Sequence, residues 1–211
     1  MLIFTDTGSD LPKEYYEEAN IIPFPLGVEI DGKAYKDVFE MDGPTLYEAI
    51  KNGARPKTSQ VSPEEFLKEF EKVAKSGEEA IYISFSSELS GTYATSVMIK
   101  NQLLETYPDL KLHIVDAKCA SLGQGLVIKE AVRLRDEGKT AEEIVEAIKA
   151  YSSNMNHIFT VDDLDFLARG GRLSKTSAFF GGMLNIKPIL SLQEGKLVPI
   201  DKIRGQKKAV K

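Results

Sequence analysis

The run Ala80-Ile81-Tyr82-Ile83-Ser84-Phe85, followed by Ser86-Ser87-Glu88-Leu89-Ser90-Gly91-Thr92-Tyr93, decides the fold class. Its first part is a compact β-branched and aromatic stretch, the signature of a strand buried on both faces. The polar part reads as a loop. A helix then begins near Ser90 or Gly91 and runs toward Tyr107-Pro108, where proline stops it. Moving outward, Leu112–Val115 is the next strand, and Leu122–Asp136 a helix closed by Gly138. Thr140 with Glu143 forms a capping box ahead of the apolar stripe Ile144, Val145 and Ile148. On the other side, Ser62-Pro63-Glu64-Glu65 supplies an N-cap, a proline at the first helical position and a capping-box glutamate. Phe66, Phe70, Val73 and Ala74 then recur at helical spacing. Ile21–Ile30 and Ala34–Val38 flank Asp31-Gly32, a two-residue hairpin signal, and Leu2-Ile3-Phe4 is a short strand ending in the polar loop Thr5–Asp10. Strands alternating with helices predict an α/β architecture, a mainly parallel sheet flanked by helices.

The texture changes after about Asn154. Asn156–Val161 reads as a strand, Asp162 as a cap for Asp163–Arg169, and Asn185–Leu192 with Lys196–Ile203 as antiparallel strands joined at Glu194-Gly195. The expected organisation is an N-terminal α/β domain over residues 1–153 and a second, smaller α/β domain starting at 154–211. A 58-residue unit is at the size where a core is marginal alone.

Composition excludes several classes. The chain has 211 residues, 42% hydrophobic and 28% charged, which suits a globular protein with a real core rather than a disordered or fibrous one. No stretch approaches the ~20 apolar residues that span a bilayer, and Met1–Asp6 carries no secretory signal pattern. A lone cysteine, Cys119, cannot form an internal disulfide, which fits a cytoplasmic location. Two histidines and one cysteine argue against a structural zinc site, so no metal ligands are assigned. The net charge is −5, yet from Arg169 onward ten Lys and Arg stand against Glu194 and Asp201 alone. A basic segment on an acidic body suits an anionic partner such as an acidic protein, a phosphate or a membrane surface, and equally a merely solvated face. No recognition helix, finger or aromatic stacking pattern accompanies it, so nucleic acid is not an expected partner.

Two hydroxyl-rich segments carry the chemistry: Thr58-Ser59-Gln60, read as a loop before the capped helix, and Ser86–Tyr93. Loops leaving strand ends are where open α/β sheets contact ligands. A helix beginning near Ser90 turns free N–H groups and its positive end outward, Gly91 permits close approach to the backbone, and the place suits a carboxylate or phosphate. Serine and threonine are also ordinary helix caps. Arg169-Gly170-Gly171-Arg172 offers two planar guanidinium groups around a pliant glycine pair. Asp6 and Asp10 read as turn and cap formers, His113 as a partly exposed strand residue, and Cys119 as a small buried thiol despite neighbouring Lys118. Phosphate-loop, dinucleotide-loop and nucleophile-elbow patterns are absent.

In this order, Thr5-Asp6-Thr7-Gly8-Ser9-Asp10-Leu11-Pro12, Thr58-Ser59-Gln60-Val61-Ser62-Pro63, Leu89-Ser90-Gly91-Thr92-Tyr93, Val115-Asp116 with Ser121-Leu122-Gly123-Gln124-Gly125, Leu167-Ala168-Arg169-Gly170-Gly171-Arg172, Ile186-Lys187-Pro188-Ile189-Leu190 and Arg204-Gly205 resemble the DegV family of bacterial lipid-binding proteins. The resemblance spans nearly the whole chain. It implies a non-enzymatic protein that holds one long-chain fatty acid, such as palmitate, in a tunnel between two α/β domains, with no other cofactor. It also implies the acyl-carrying subunit of a fatty acid kinase, whose separate ATP-binding subunit phosphorylates the presented carboxylate. Carried over, Thr58 and Ser90 hold the carboxylate, Ser59, Gly91 and Thr92 support the ligand loops, and Arg169, Arg172 and Arg204 face the kinase subunit or, transiently, a membrane. The family's second domain continues past Lys211 and supplies a histidine that has no counterpart here, and Val61 stands where the family often has proline. Two other readings stay open on the residues alone. One is an enzyme of the same class acting on a small phosphorylated or acyl substrate through Ser90 or Asp6; the other is a regulatory protein using its basic face.

Overall fold

The structure, a computed structural model, describes residues 1–161, 164–173 and 186–205. Two units divide the chain, Met1–Asn154 and Met155–Lys211.

In the first unit, β1 (Leu2–Asp6), α1 (Lys13–Glu18), β2 (Ile21–Phe24), α3 (Pro63–Ser76), β6 (Ala80–Ser84), α4 (Thr92–Thr106), β7 (Leu112–Asp116), α5 (Ser121–Asp136) and α6 (Ala141–Ser153) build the main layers. The sheet is wholly parallel, in the order β2-β1-β6-β7. Between α1 and α3 lie β3 (Gly27–Ile30), β4 (Lys33–Lys36), α2 (Gly43–Lys51) and β5 (Lys57–Ser59), with the three strands forming a separate antiparallel sheet. The expected α/β class is thus the observed one: a parallel sheet flanked by helices.

The local signals have clear physical outcomes. Asp31 (φ 51°) and Gly32 (φ 79°) both take left-handed conformations, as the tight hairpin joining β3 to β4 requires. The Ser62 side chain accepts from the Glu65 amide at 3.3 Å and Pro63 opens α3. The Glu65 carboxylate is drawn instead to Lys36 Nζ at 2.6 Å. At α6 both halves of the Thr140–Glu143 box form. Phe66, Phe70 and Val73 of α3 face the sheet and meet Phe4, Phe24 and Tyr82, with ring centroids 4.6–6.1 Å apart. All five residues of β6 are buried, as the uninterrupted apolar run predicts.

Two details differ from the sequence reading. First, β1 does not stop at Phe4. It continues through Thr5 and Asp6, both fully buried, and a single 3-10 turn, Thr7–Ser9, follows. Second, Thr58-Ser59 is not a loop but part of β5, a three-residue edge strand pairing with β3. Polar residues hid it, because β3 and the backbone ladder, not an apolar face, hold it in place.

The second unit contains β8 (Ile158–Thr160), α7 (Asp165–Arg169), β9 (Ile186–Gln193) and β10 (Lys196–Arg204), with the strands in an antiparallel sheet ordered β10-β9-β8. Glu194 (φ 49°) and Gly195 (φ 82°) make its hairpin turn. Its small core gathers Leu164, Leu173 and Leu190. The expected cap at Asp162 and the start of its helix at Asp163, like Asn185, lie outside the described residues. Among the described residues, no helix is long and apolar enough to cross a membrane.

Candidate functional site

The strand order places a topological switch point between β1 and β6: the chain leaves β1 toward β2 on one side and β6 toward β7 on the other. Crevices open at the carboxyl ends of strands that diverge in this way, and ligands of open α/β sheets bind there. Two connections meet at this edge, the Thr7–Ser9 turn after β1 and residues 85–91 after β6.

The second connection is firmly held. Phe85 N donates to Asp6 Oδ2 at 2.8 Å, and Ser86 N to the Cys119 carbonyl at 3.0 Å. Ser87 donates through N and Oγ to Asp116, at 3.2 and 2.6 Å. Leu89 N and Ser90 N then both turn back to the Ser86 carbonyl. This winding delivers Ser90, half-buried, to the mouth of α4. There Ser90 Oγ and Thr92 Oγ1 lie 2.8 Å apart, and Thr92 N donates to Ser90 Oγ at 3.3 Å. Gly91 is the N-cap and has no side chain of its own to cap the helix, Ser90 Oγ takes the first amide, and the first turn carries no acidic residue. The positive end of a 15-residue helix is therefore unopposed from within.

The β5 segment joins the same place. Gln60 Nε2 donates to Thr95 Oγ1 at 2.7 Å, and Val61 N to Thr92 Oγ1 at 3.3 Å. Gln60 also lies directly against Gly91, where any Cβ would collide with Gln60 Oε1. Gly91 thus lets Gln60 lie close, and a side chain there would push the Gln60 amide aside. Ser59 Oγ covers Gly27 on one face of the small sheet, so Thr58, next along the strand, presents the opposite face and is exposed. The structure thus joins the Thr58–Val61 segment to Ser90, Gly91 and Thr92. Gln60, which lies in the segment that the sequence marks but has no role assigned there, and Thr95, which the sequence does not mark, are the link. The signal available was Gln60 itself, a long amide beside two hydroxyl residues.

Behind the mouth lies a buried polar cluster. Asp6 Oδ2 accepts from Phe85 N and Tyr82 OH, each at 2.8 Å, while Oδ1 accepts from Gly8 N at 3.2 Å and Gln124 Nε2 at 3.3 Å. Burial pushes the Asp6 carboxyl above its ordinary range against the pull of these donors. Asp6 is therefore the turn and cap former that the sequence suggests, but in a dry setting. Cys119 is buried, and burial with nearby Asp116 pushes its thiol up to about 11, so neighbouring Lys118 does not activate it. Near the opposite end of the parallel sheet, one ligand atom from each of Glu79, His113 and Glu142 falls within 4.8 Å of the others. Glu142 sits in the first turn of α6, where the helix's positive end favours a carboxylate over a cation.

Arg169, Arg172 and Arg204 belong to the second unit and are exposed. Arg172 turns back to donate to the Gly170 carbonyl, and Gly171 takes φ 75°.

The family model described as "Uncharacterised protein, DegV family" matches residues 1–211. The chain belongs to the DegV family. A DegV domain-containing protein of Clostridium perfringens is 40% identical over 213 aligned residues, covering 100% of this chain and 73% of that protein. Among solved DegV-like structures, a stearic acid-binding protein from Eubacterium ventriosum superposes with a TM-score of 0.91 at 29% identity. DegV from Bacillus subtilis, a fatty acid binding protein, superposes with a TM-score of 0.86 at 32% identity. Each alignment covers 99% of this chain and 73% of the other. Solved structures of this family thus include fatty-acid-binding proteins.

Proposed function

We propose that this DegV chain binds one long-chain fatty acid and holds its acid end between the hydroxyls of Ser90 and Thr58. The observation that carries this reading is the Ser90–Thr92 hydroxyl pair, 2.8 Å apart at the mouth of α4 and bonded across to the Thr58–Val61 segment. The fatty acids named for the solved relatives support the same ligand class. Proton ordering makes the pair useful. Thr92 Oγ1 accepts from Val61 N, and Ser90 Oγ accepts from Thr92 N. If Thr92 then donates its hydroxyl proton to Ser90 Oγ, the Ser90 proton is left for a carboxylate oxygen. Gly91, Thr92 and Ser59 serve as supports: Gly91 admits Gln60, Thr92 orients Ser90, and Ser59 closes the other face of β5.

The tail supplies the affinity. About 15 methylenes at ~0.8 kcal/mol each give ~12 kcal/mol of gross transfer energy. Ordering the chain and losing free translation offset several kcal/mol of this, which leaves a Kd of about 1 μM or below. The hydroxyls and the helix end orient the carboxylate and spare it an unpaired burial. Neutral donors also leave an oxygen able to accept a phosphoryl group. We therefore infer that the chain carries substrate rather than turning it over, presenting the carboxylate to an ATP-binding fatty acid kinase subunit. Arg169, Arg172 and Arg204 are the surface for that partner or, transiently, for an anionic membrane, in the cytoplasm. No cofactor is invoked.

The test compares palmitate with its methyl ester by displacement of a fluorescent fatty acid. Wild type should prefer the acid by about tenfold or more. With the kinase subunit and ATP added, acyl phosphate should form only when this chain is present. Equal affinity for acid and ester would contradict the head-group assignment, and no acyl phosphate would contradict the carrier role.

A further inference from the structure

The two hydroxyl segments share an anchor that neither of them contains. Asp6, the last residue of β1, spans the switch point: through Phe85 N at 2.8 Å it sets the residue from which the Ser90 connection departs. Tyr82 OH and Gln124 Nε2 pin the same carboxylate from β6 and α5, and Gly8 N pins it from its own turn. Gly8 also packs so tightly under the Phe85 ring that a Cβ there would meet Phe85 Cδ2 at 2.6 Å. The next residue, Thr7, reaches the other way. Its Oγ1 accepts from Leu26 N at 3.0 Å. Leu26 leads directly into β3, whose Val28 is the ladder partner of Thr58. Adjacent residues of one buried turn therefore govern both walls of the proposed site.

We propose that Asp6 and Thr7 are positioning residues for the carboxylate of the bound fatty acid, Asp6 setting the Ser90 wall and Thr7 the Thr58 wall. This inference rests on the fatty-acid reading above. Asp6 is fully buried behind Phe85 and reaches the ligand only through the backbone. Donors must sit within a few tenths of an ångström of the acid oxygens to discriminate a carboxylate from an ester, whereas contacts along the hydrocarbon tolerate small shifts. A displaced anchor should therefore damage head-group discrimination and spare tail binding.

The experiment measures the affinity of the full chain for palmitate and methyl palmitate and takes their ratio. In Asp6→Ala the preference for the acid should fall about tenfold while ester affinity stays within about twofold of wild type. Asp6→Asn retains an oxygen for Phe85 N and Tyr82 OH. Its Nδ2, standing in place of Oδ1, gives up the Gly8 N bond but can donate to Gln124 Oε1, which has no hydrogen-bond partner in the native cluster, once that side-chain amide turns over; with the Phe85 N tie kept, the preference should recover to within about threefold of wild type. Thr7→Val, nearly the same shape, leaves Leu26 N unpaired and should lower the preference about threefold, giving a second reading should Asp6→Ala fail to fold. A purely structural role would weaken acid and ester alike and keep the ratio. A wild-type preference that persists in Asp6→Ala, or in Thr7→Val, overturns the positioning role alone. A wild-type chain without any preference overturns the head-group assignment and this inference together.

Discussion

The two walls of the proposed site are built in opposite ways. The Ser90 wall grows from β6, a strand buried along its whole length, and its backbone is tied to Asp6, Asp116 and Cys119 before it reaches the ligand position. The Thr58 wall is a three-residue edge strand with every residue exposed, held by β3 on one side and by Gln60 and Val61 at its end. A wall fixed from a dry core holds a donor in one geometry, and a desolvated donor is electrostatically stronger. An exposed edge strand can open and close around a ligand at little cost. On the proposed reading, the contrast suits Ser90 to orientation and Thr58 to admission and closure.

Backbone hydrogen exchange tests this contrast most severely. The amides of Phe85 and Ser86 should exchange on the order of a hundredfold more slowly than those of Lys57–Ser59 in the ligand-free chain. Equal protection would break the distinction. Next in size, Ser90→Ala should lower the preference for palmitate over its methyl ester about tenfold, and Thr58→Ala about threefold. The reverse order would assign the rigid role to the wrong wall. Smaller still, Gln60→Ala should cost about twofold to threefold by loosening the Gln60–Thr95 tie, and Gly91→Ala should cost about as much because its new Cβ displaces Gln60. Combined, the two changes should add little to either alone, since both break one link.

The smallest effect is one of pH. Asp6 has a folded-state pKa raised above the unfolded value of about 3.9, so the native state binds its proton more tightly. Its contribution to stability is present in full below the unfolded pKa and falls as pH rises to the folded one. Urea unfolding of wild type against Asp6→Asn should show the wild type losing ground to the variant across that window. A difference that grows in the wild type's favour would mean that the donors around Asp6 outweigh its burial.

What the sequence made legible was local. Asp31-Gly32, the Ser62 and Thr140 caps and the proline after Tyr107 each act within a few residues, and each lies where the pattern places it. The buried run at β6 announced itself by composition. Two features escaped for the same reason. A strand ending in Thr5 and Asp6 is plausible only once Tyr82, Phe85 and Gln124 supply donors from far along the chain. Likewise β5 exists only because β3, some thirty residues earlier, offers it a ladder. Of the proposed site, Ser90, Gly91 and Thr92 were readable from the strand–loop–helix transition, whereas the Gln60–Thr95 tie depends on a tertiary meeting that no spacing encodes.

The central claim is that this chain holds one fatty acid, and native mass spectrometry of the purified protein tests it most directly. The expected result is a single mass increment equal to one long-chain fatty acid, released on organic extraction and restored one-to-one by palmitate or oleate. A well-folded chain that carries no such increment, and acquires none when either acid is supplied in stoichiometric excess, would contradict the account.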